Sequence, residues 1–246
     1  MQETLVFVHG FGEDSGIWEN IIPEFKNDYH IIAPDLPGTG RLAGTNTQGT
    51  TMEYLAEFIK QTLDEQKIEK CTMIGHSMGG YITLAFAEKY PEVLLQFGLF
   101  HSTAYADSDE KKEARKKNME FIRKNGASKF IETSVPKLFA SETAEKQPQK
   151  IKQMVERYRN LTIDSLVHYT NAMMNRPDRI RVLENFKKPV LFIMGEHDTA
   201  VPIEQGLKQC SIPEFSYIYI ATHSGHLGML EEPNFCVKAI KEFLSA

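Results

Sequence analysis

The chain has 246 residues, enough to bury a substantial core in one large domain or in a core with an insertion. Hydrophobic residues make up 41% and charged residues 25%, as in an ordinary soluble globular protein, and the net charge of -5 argues against nucleic acid or an anionic membrane as partner. No apolar run approaches the roughly 20 residues of a membrane span, and the first residues lack the basic, then apolar, start of a signal peptide. Cys71, Cys210 and Cys236 stand far apart in apolar settings, so buried reduced thiols and a cytoplasmic protein are expected.

In chain order, near-continuous apolar runs predict strands over 5–8 and 30–33. A helix over 52–66 follows, with Thr51 as its cap and Leu55, Phe58, Ile59 and Leu63 at helical spacing. A strand at 71–74, a helix at 82–90 ending before Pro91, and a strand at 95–100 continue the alternation. It resumes with strands at 190–194 and 216–220 and a closing helix at 233–244. Strands alternating with helices imply an α/β fold with a mainly parallel sheet covered on both faces.

Residues 102–184 break the pattern: no strand, but a charged helix capped by Asp107 or Ser108 and running to Lys124, then helices over 143–159 and 162–175. That is too long for a crossover and suggests an inserted helical lid at 102–184 on a core formed by 1–101 and 185–246. The run at 110–117 mixes both signs of charge and is expected to be the lid's solvated face.

One short stretch carries the chemistry. Gly75-His76-Ser77-Met78-Gly79-Gly80 falls where a strand ends and a helix begins. Glycine is costly inside either element, so a tight turn around Ser77, the nucleophile elbow, explains all three. A serine hydroxyl is a poor nucleophile at neutral pH and needs a base, itself oriented by an acid. Asp198 follows the strand at 190–194, and His226 lies in the loop after the strand at 216–220, both at the carboxyl edge where open parallel sheets place their sites.

With these motifs the sequence resembles the α/β-hydrolase superfamily, in particular its small lidded serine esterases and enol-lactone hydrolases. The matching segments are His9-Gly10-Phe11-Gly12, Asp35-Leu36-Pro37-Gly38-x-Gly40, the elbow, Gly195-x-x-Asp198-x-x-Val201-Pro202 and Gly225-His226-x-x-x-x-Glu231-x-Pro233. The resemblance implies a Ser77-His226-Asp198 triad, an oxyanion hole from the backbone N–H groups of Phe11 and Met78, and ester hydrolysis through an acyl-enzyme with neither metal nor organic cofactor. It departs from the family pattern in two places. The strand ending in His9-Gly10 starts near residue 4, so a six-stranded sheet in order 2-1-3-4-5-6, without the usual N-terminal antiparallel pair, is expected. Arg41-Leu42 stands where relatives often have Arg-Ser, which puts a polar role for that loop in doubt.

The remaining candidates have plain structural alternatives. His9 is expected to brace the oxyanion loop, and His76 and His197 to point away from the site. His223 is a rival base, Asp35 a rival acid after the wrong strand, and Glu196 an exposed side chain. His101 either lines the substrate pocket or packs. Phe121, Phe130, Phe139, Tyr158 and Met173 form the lid's core or an acyl pocket, and Arg115 and Arg123 are candidates for gripping a substrate carboxylate. The partner expected is a small ester, lactone or thioester. The alternatives are a lyase, C–C hydrolase or perhydrolase on the same triad, or a non-catalytic binding protein.

Overall fold

The computed structural model describes residues 2–245. Six strands form one sheet in the order β2-β1-β3-β4-β5-β6, and every pairing is parallel. They are β1 (Thr4–Val8), β2 (His30–Ile32), β3 (Cys71–His76), β4 (Leu94–Phe100), β5 (Val190–Gly195) and β6 (Ser216–Ala221). Side chains alternate across a strand, so each strand feeds two cores. Val6 and Val8 join one with Met73, Phe97, Phe192 and Met194, while Leu5 and Phe7 join the other with Ile74, Phe100, Leu191 and Ile193.

Helices cover both faces. On the first lie α1 (Met52–Glu65) and α2 (Met78–Lys89); Thr51 caps α1 by accepting from the Tyr54 amide. Ten consecutive residues of α2, Met78 to Ala87, are buried, because it lies between the sheet, α1 and the chain that follows β4. The last helix, α11 (Pro233–Leu244), covers the opposite face through Cys236, Ile240 and Phe243. All three cysteines are free and buried, and burial pushes the Cys71 and Cys210 thiols up to about 12.

Between β4 and β5 the chain runs through α3 (Asp109–Asn125), α4 (Ala127–Ser134), α5 (Ser141–Lys146), α6 (Pro148–Tyr158), α7 (Ile163–Asn175) and α8 (Ile180–Asn185). Ser108 caps α3 by accepting from the Lys111 amide. The single helix expected over 143–159 is two. Pro148 disfavours helical backbone at the preceding residue, and Gln147 sits at φ -134°. These helices do not build a core of their own: Phe130, Ile131, Leu166 and Val167 merge with the core under α11, Tyr169 and Met173 with the other. After β5 come α9 (Ile203–Cys210), absent from the sequence-based expectation, and after β6 the single turn α10 (Gly228–Glu231). Gln209 of α9 bridges to the chain after β4. Its buried amide accepts from the Ala104 N–H and donates to the Ser102 carbonyl, fixing the chain as it leaves β4. Among the described residues no helix is long and apolar enough to cross a membrane.

Candidate active site

Ser77 joins β3 directly to α2, whose first residue is Met78, four residues earlier than helical spacing suggested. Its backbone is at φ 51°, ψ -114°, a region that L-residues avoid unless their surroundings hold them there. Three bonds do so: the Ser77 N–H donates to Phe100 O (2.9 Å), and Ser77 O accepts from Ser102 Oγ (2.7 Å) and the Gly80 N–H (2.9 Å). The turn leaves no room for side chains beside it. A Cβ on Gly75 would lie 2.2 Å from Gly79 O, and one on Gly79 2.2 Å from Val8 O.

From this turn Ser77 Oγ lies 2.8 Å from His226 Nε2, and His226 Nδ1 lies 2.7 Å from Asp198 Oδ2. A carboxylate only accepts, so His226 donates through Nδ1 and offers Nε2 to the serine hydroxyl. Asp198 is an anion by construction. Oδ1 accepts from the Ala200 and Val201 amides (2.8 and 2.9 Å), and Oδ2 from both His226 and His101. Burial opposes its charge, but His226 and these hydrogen bonds outweigh burial and hold its pKa well below the carboxylate range.

His101 does not line the pocket. At φ 48° just past β4 it turns inward behind Asp198, Nδ1 at 3.3 Å from Oδ2, while Nε2 accepts from the Gly228 amide at 3.3 Å. Burial lowers its pKa to about 4, so it stays neutral and orients the acid. Among the described residues, His101, Asp198 and His226 form a trio of metal-capable groups within 4.8 Å. The nitrogens nearest the carboxylate already donate to it, so a cation there would have to displace those bonds.

The His226 loop is bolted to the segment between α4 and α5. The His226 N–H donates to Leu138 O (2.7 Å), and Glu231 accepts from the amides of Gly225 and Ala140, both at 2.8 Å. A Cβ on Gly225 would meet Leu138 O at 2.5 Å, which accounts for the glycine before the histidine. The rival base, His223, is exposed and pairs with Glu142 instead. Asp35, the rival acid, accepts from Arg41 N and Nε within its own loop and from Ser15 N in the segment after Phe11, so that loop has a polar role after all, a structural one that ties two loops together.

Ser77 and His226 open on a cavity of about 290 Å³ whose walls include Phe11, Tyr81, Phe130, Leu138 and Met173. Tyr158 and Phe139 are core residues outside it, and Phe121 is 36% exposed. A larger open groove, of about 720 Å³ over Gly16 and Arg157, contains none of the three hydrogen-bonded side chains. Among the described residues the amides of Phe11 and Met78 have no protein acceptor.

A model of the alpha/beta hydrolase fold family matches residues 3–233. The chain belongs to that family. This alpha/beta hydrolase is 26% identical to the uncharacterized hydrolase YugF of Bacillus subtilis, over 99% of this chain and 90% of that protein. It is also 26% identical to a 2-hydroxy-6-oxo-6-(2'-aminophenyl)hexa-2,4-dienoic acid hydrolase of Metapseudomonas resinovorans, over 99% and 84%. Among solved structures it is similar to a malate-bound thermophilic esterase of Thermogutta terrifontis, with TM-score 0.91 and 27% identity over 100% and 90% of the two chains.

Two residues of the hydrolase escaped sequence reading. His76, expected to point away, lies under the site with side chain 1% exposed, Nδ1 at 3.0 Å from Glu13 Oε2 and Nε2 at 2.9 Å from the His226 carbonyl. Both partners accept, so His76 is an imidazolium paired with Glu13. Glu13 Oε2 also accepts from the Gly10 amide at 2.8 Å, so the pair ties the loop before Phe11 to the backbone of His226. Nothing in His-Gly-Phe-Gly-Glu signals a buried carboxylate; only the fold brings residue 76 beneath it. Burial opposes His76 protonation, but the Glu13 charge outweighs it and the pKa is raised; burial likewise opposes the Glu13 charge, and His76 brings its pKa below normal. The raised His76 value stabilises fully below 6.5 and is lost as pH climbs through its folded pKa. The lowered Glu13 value stabilises above 4.5 and is lost as pH falls through its folded pKa. The pair therefore contributes in full between 4.5 and 6.5. Glu13→Gln is expected to cost about 3–5 kcal/mol within that window, with a smaller loss on either side. Denaturant unfolding of both proteins across pH checks this.

Proposed function

We propose that this alpha/beta hydrolase is a serine hydrolase that cleaves a carboxylic ester, or a lactone or thioester, through a covalent acyl-enzyme. The observation that carries the reading is the unbroken line of Ser77 Oγ, His226 and Asp198, at 2.8 and 2.7 Å, opening on a cavity. His226 Nε2 takes the hydroxyl proton as Ser77 Oγ attacks the carbonyl carbon. The Phe11 and Met78 amides donate to the oxyanion of the tetrahedral intermediate, each such donor being worth about 10²–10³ in turnover. His226 returns the proton to the leaving oxygen or sulfur, then activates a water that releases the acid. Asp198 orients the imidazole and stabilises its cationic form, and His101 holds Asp198. His226 and Asp198 come from loops after different strands, so this alignment needs the whole sheet edge.

A second reading has support in the 26% identity to the dienoic acid hydrolase, whose name describes a hydrolase of an acid rather than of an ester. Ser77 and His226 would serve that chemistry unchanged. The readings separate on one experiment. A fluorophosphonate should label Ser77, found by mass spectrometry of the peptide, and a short-chain nitrophenyl ester should be turned over with loss of activity in step with labelling. Turnover that survives complete labelling sinks the serine hydrolase; labelling without ester turnover favours the second reading.

A further inference from the structure

Lys111 and Arg115 lie one turn apart on α3 and both line the Ser77 cavity, with Asn118 continuing the same helix face. Neither cation is used up by the protein. Lys111 Nζ donates to Ala200 O at 2.9 Å, which leaves two of its three N–H groups without a protein acceptor among the described residues. Arg115 pairs with Asp107 through Nε and, at 3.5 Å, through Nη2, but that buried carboxylate also receives Arg176 Nη1 at 2.7 Å. Two guanidinium groups share one carboxylate, so the cluster keeps a net positive charge. Arg115 Nη1 faces only Met173 Sδ at 3.5 Å, a weak acceptor that is itself part of the cavity wall. The one carboxylate lining the cavity, Glu13, is neutralised by His76. One wall thus carries two under-used cations, and the cavity offers no free anion to meet them.

We propose that the cavity takes a substrate whose acyl part ends in a carboxylate, gripped by Lys111 and Arg115 while its ester carbonyl meets Ser77. This rests on the serine hydrolase reading and narrows it to acid-bearing esters or lactones. Arg123, the other candidate from the sequence, is exposed and outside the cavity. If Lys111 were only a staple from α3 to the loop after Asp198, the charge of the substrate would not matter.

The test compares the nitrophenyl half-ester of glutaric acid with its methyl-capped, uncharged counterpart of similar length. Wild type should show the higher kcat/KM on the half-ester, with a preference that shrinks in high salt. The ratio of the two values should fall about 10–100-fold in Lys111→Met, the range of a hydrogen bond to a charged group; Arg115→Lys should reduce it less, since a cation remains for Asp107. Calorimetric binding of both esters to Ser77→Ala gives the same comparison without turnover. Equal kcat/KM or equal binding for the two esters overturns the proposal even if a variant fails to fold, and so does a preference unchanged in Lys111→Met. Anion-selective binding with no nitrophenolate released by wild type would sink the hydrolase reading alone.

Discussion

Ser77→Ala is expected to lower kcat for ester hydrolysis by about 10⁶, the scale on which a serine nucleophile acts together with its base. Stability should hardly move. Alanine keeps the Cβ, and the three hydrogen bonds that hold residue 77 at φ 51° are made by backbone atoms of that residue, not by Oγ. The substitution removes the 2.8 Å hydrogen bond to His226 Nε2, on a ring whose other nitrogen remains tied to Asp198. Single-turnover and steady-state rates with a nitrophenyl ester, beside a denaturant unfolding curve, check both halves. Activity near the wild-type level would mean that another group attacks the carbonyl.

Asp198→Asn should reduce kcat by about 10⁴ and, unlike the serine change, should destabilise the fold. The aspartate oxygens accept four N–H groups, from Ala200, Val201, His226 and His101. An asparagine must turn its NH₂ toward one pair of these donors. Facing the histidines, it forces His226 into the tautomer that places the proton on Nε2, toward Ser77, where a base needs a lone pair. Facing the Ala200 and Val201 amides, it leaves two buried donors unmet at about 1–3 kcal/mol each. The depressed aspartate pKa means that this stabilisation is present above 3.8 and is lost only as pH falls through the much lower folded value. The stability gap between wild type and variant should therefore stay level through neutral pH. Unfolding curves at several pH values test this, and a gap that closes as pH rises would show that Asp198 is not the charged partner of these donors.

These expectations draw unequally on sequence and structure. The strands and the elbow were legible because each rests on local physics. A six-residue apolar run buried on both faces has few alternatives to a central parallel strand, and three glycines around one serine mark a turn too tight for side chains. The break before Pro148 is local too, but the amphipathic spacing across 143–159 masked it. Helix α9 was invisible for a different reason. Its hydrophobic face is short, and the Gln209 bridge to Ser102 and Ala104 is made with polar atoms from a distant segment. His101 shows the same limit: its identity hinted at the site, but only the positive-φ turn past β4 decides that it supports Asp198 rather than facing substrate.

By itself the sequence determined the alternation of strand and helix and the parallel sheet, and it pointed to Ser77, Asp198 and His226 as candidates, because apolar periodicity and turn chemistry are written in neighbouring positions. Tertiary structure alone decided that Glu13 and His76 form a buried ion pair beneath the site, and that Lys111 and Arg115 face its cavity while Arg123 does not. Charged side chains carry no sign in sequence of being solvated or buried. Which one a chain exploits depends on the desolvation and partners that distant segments bring to it.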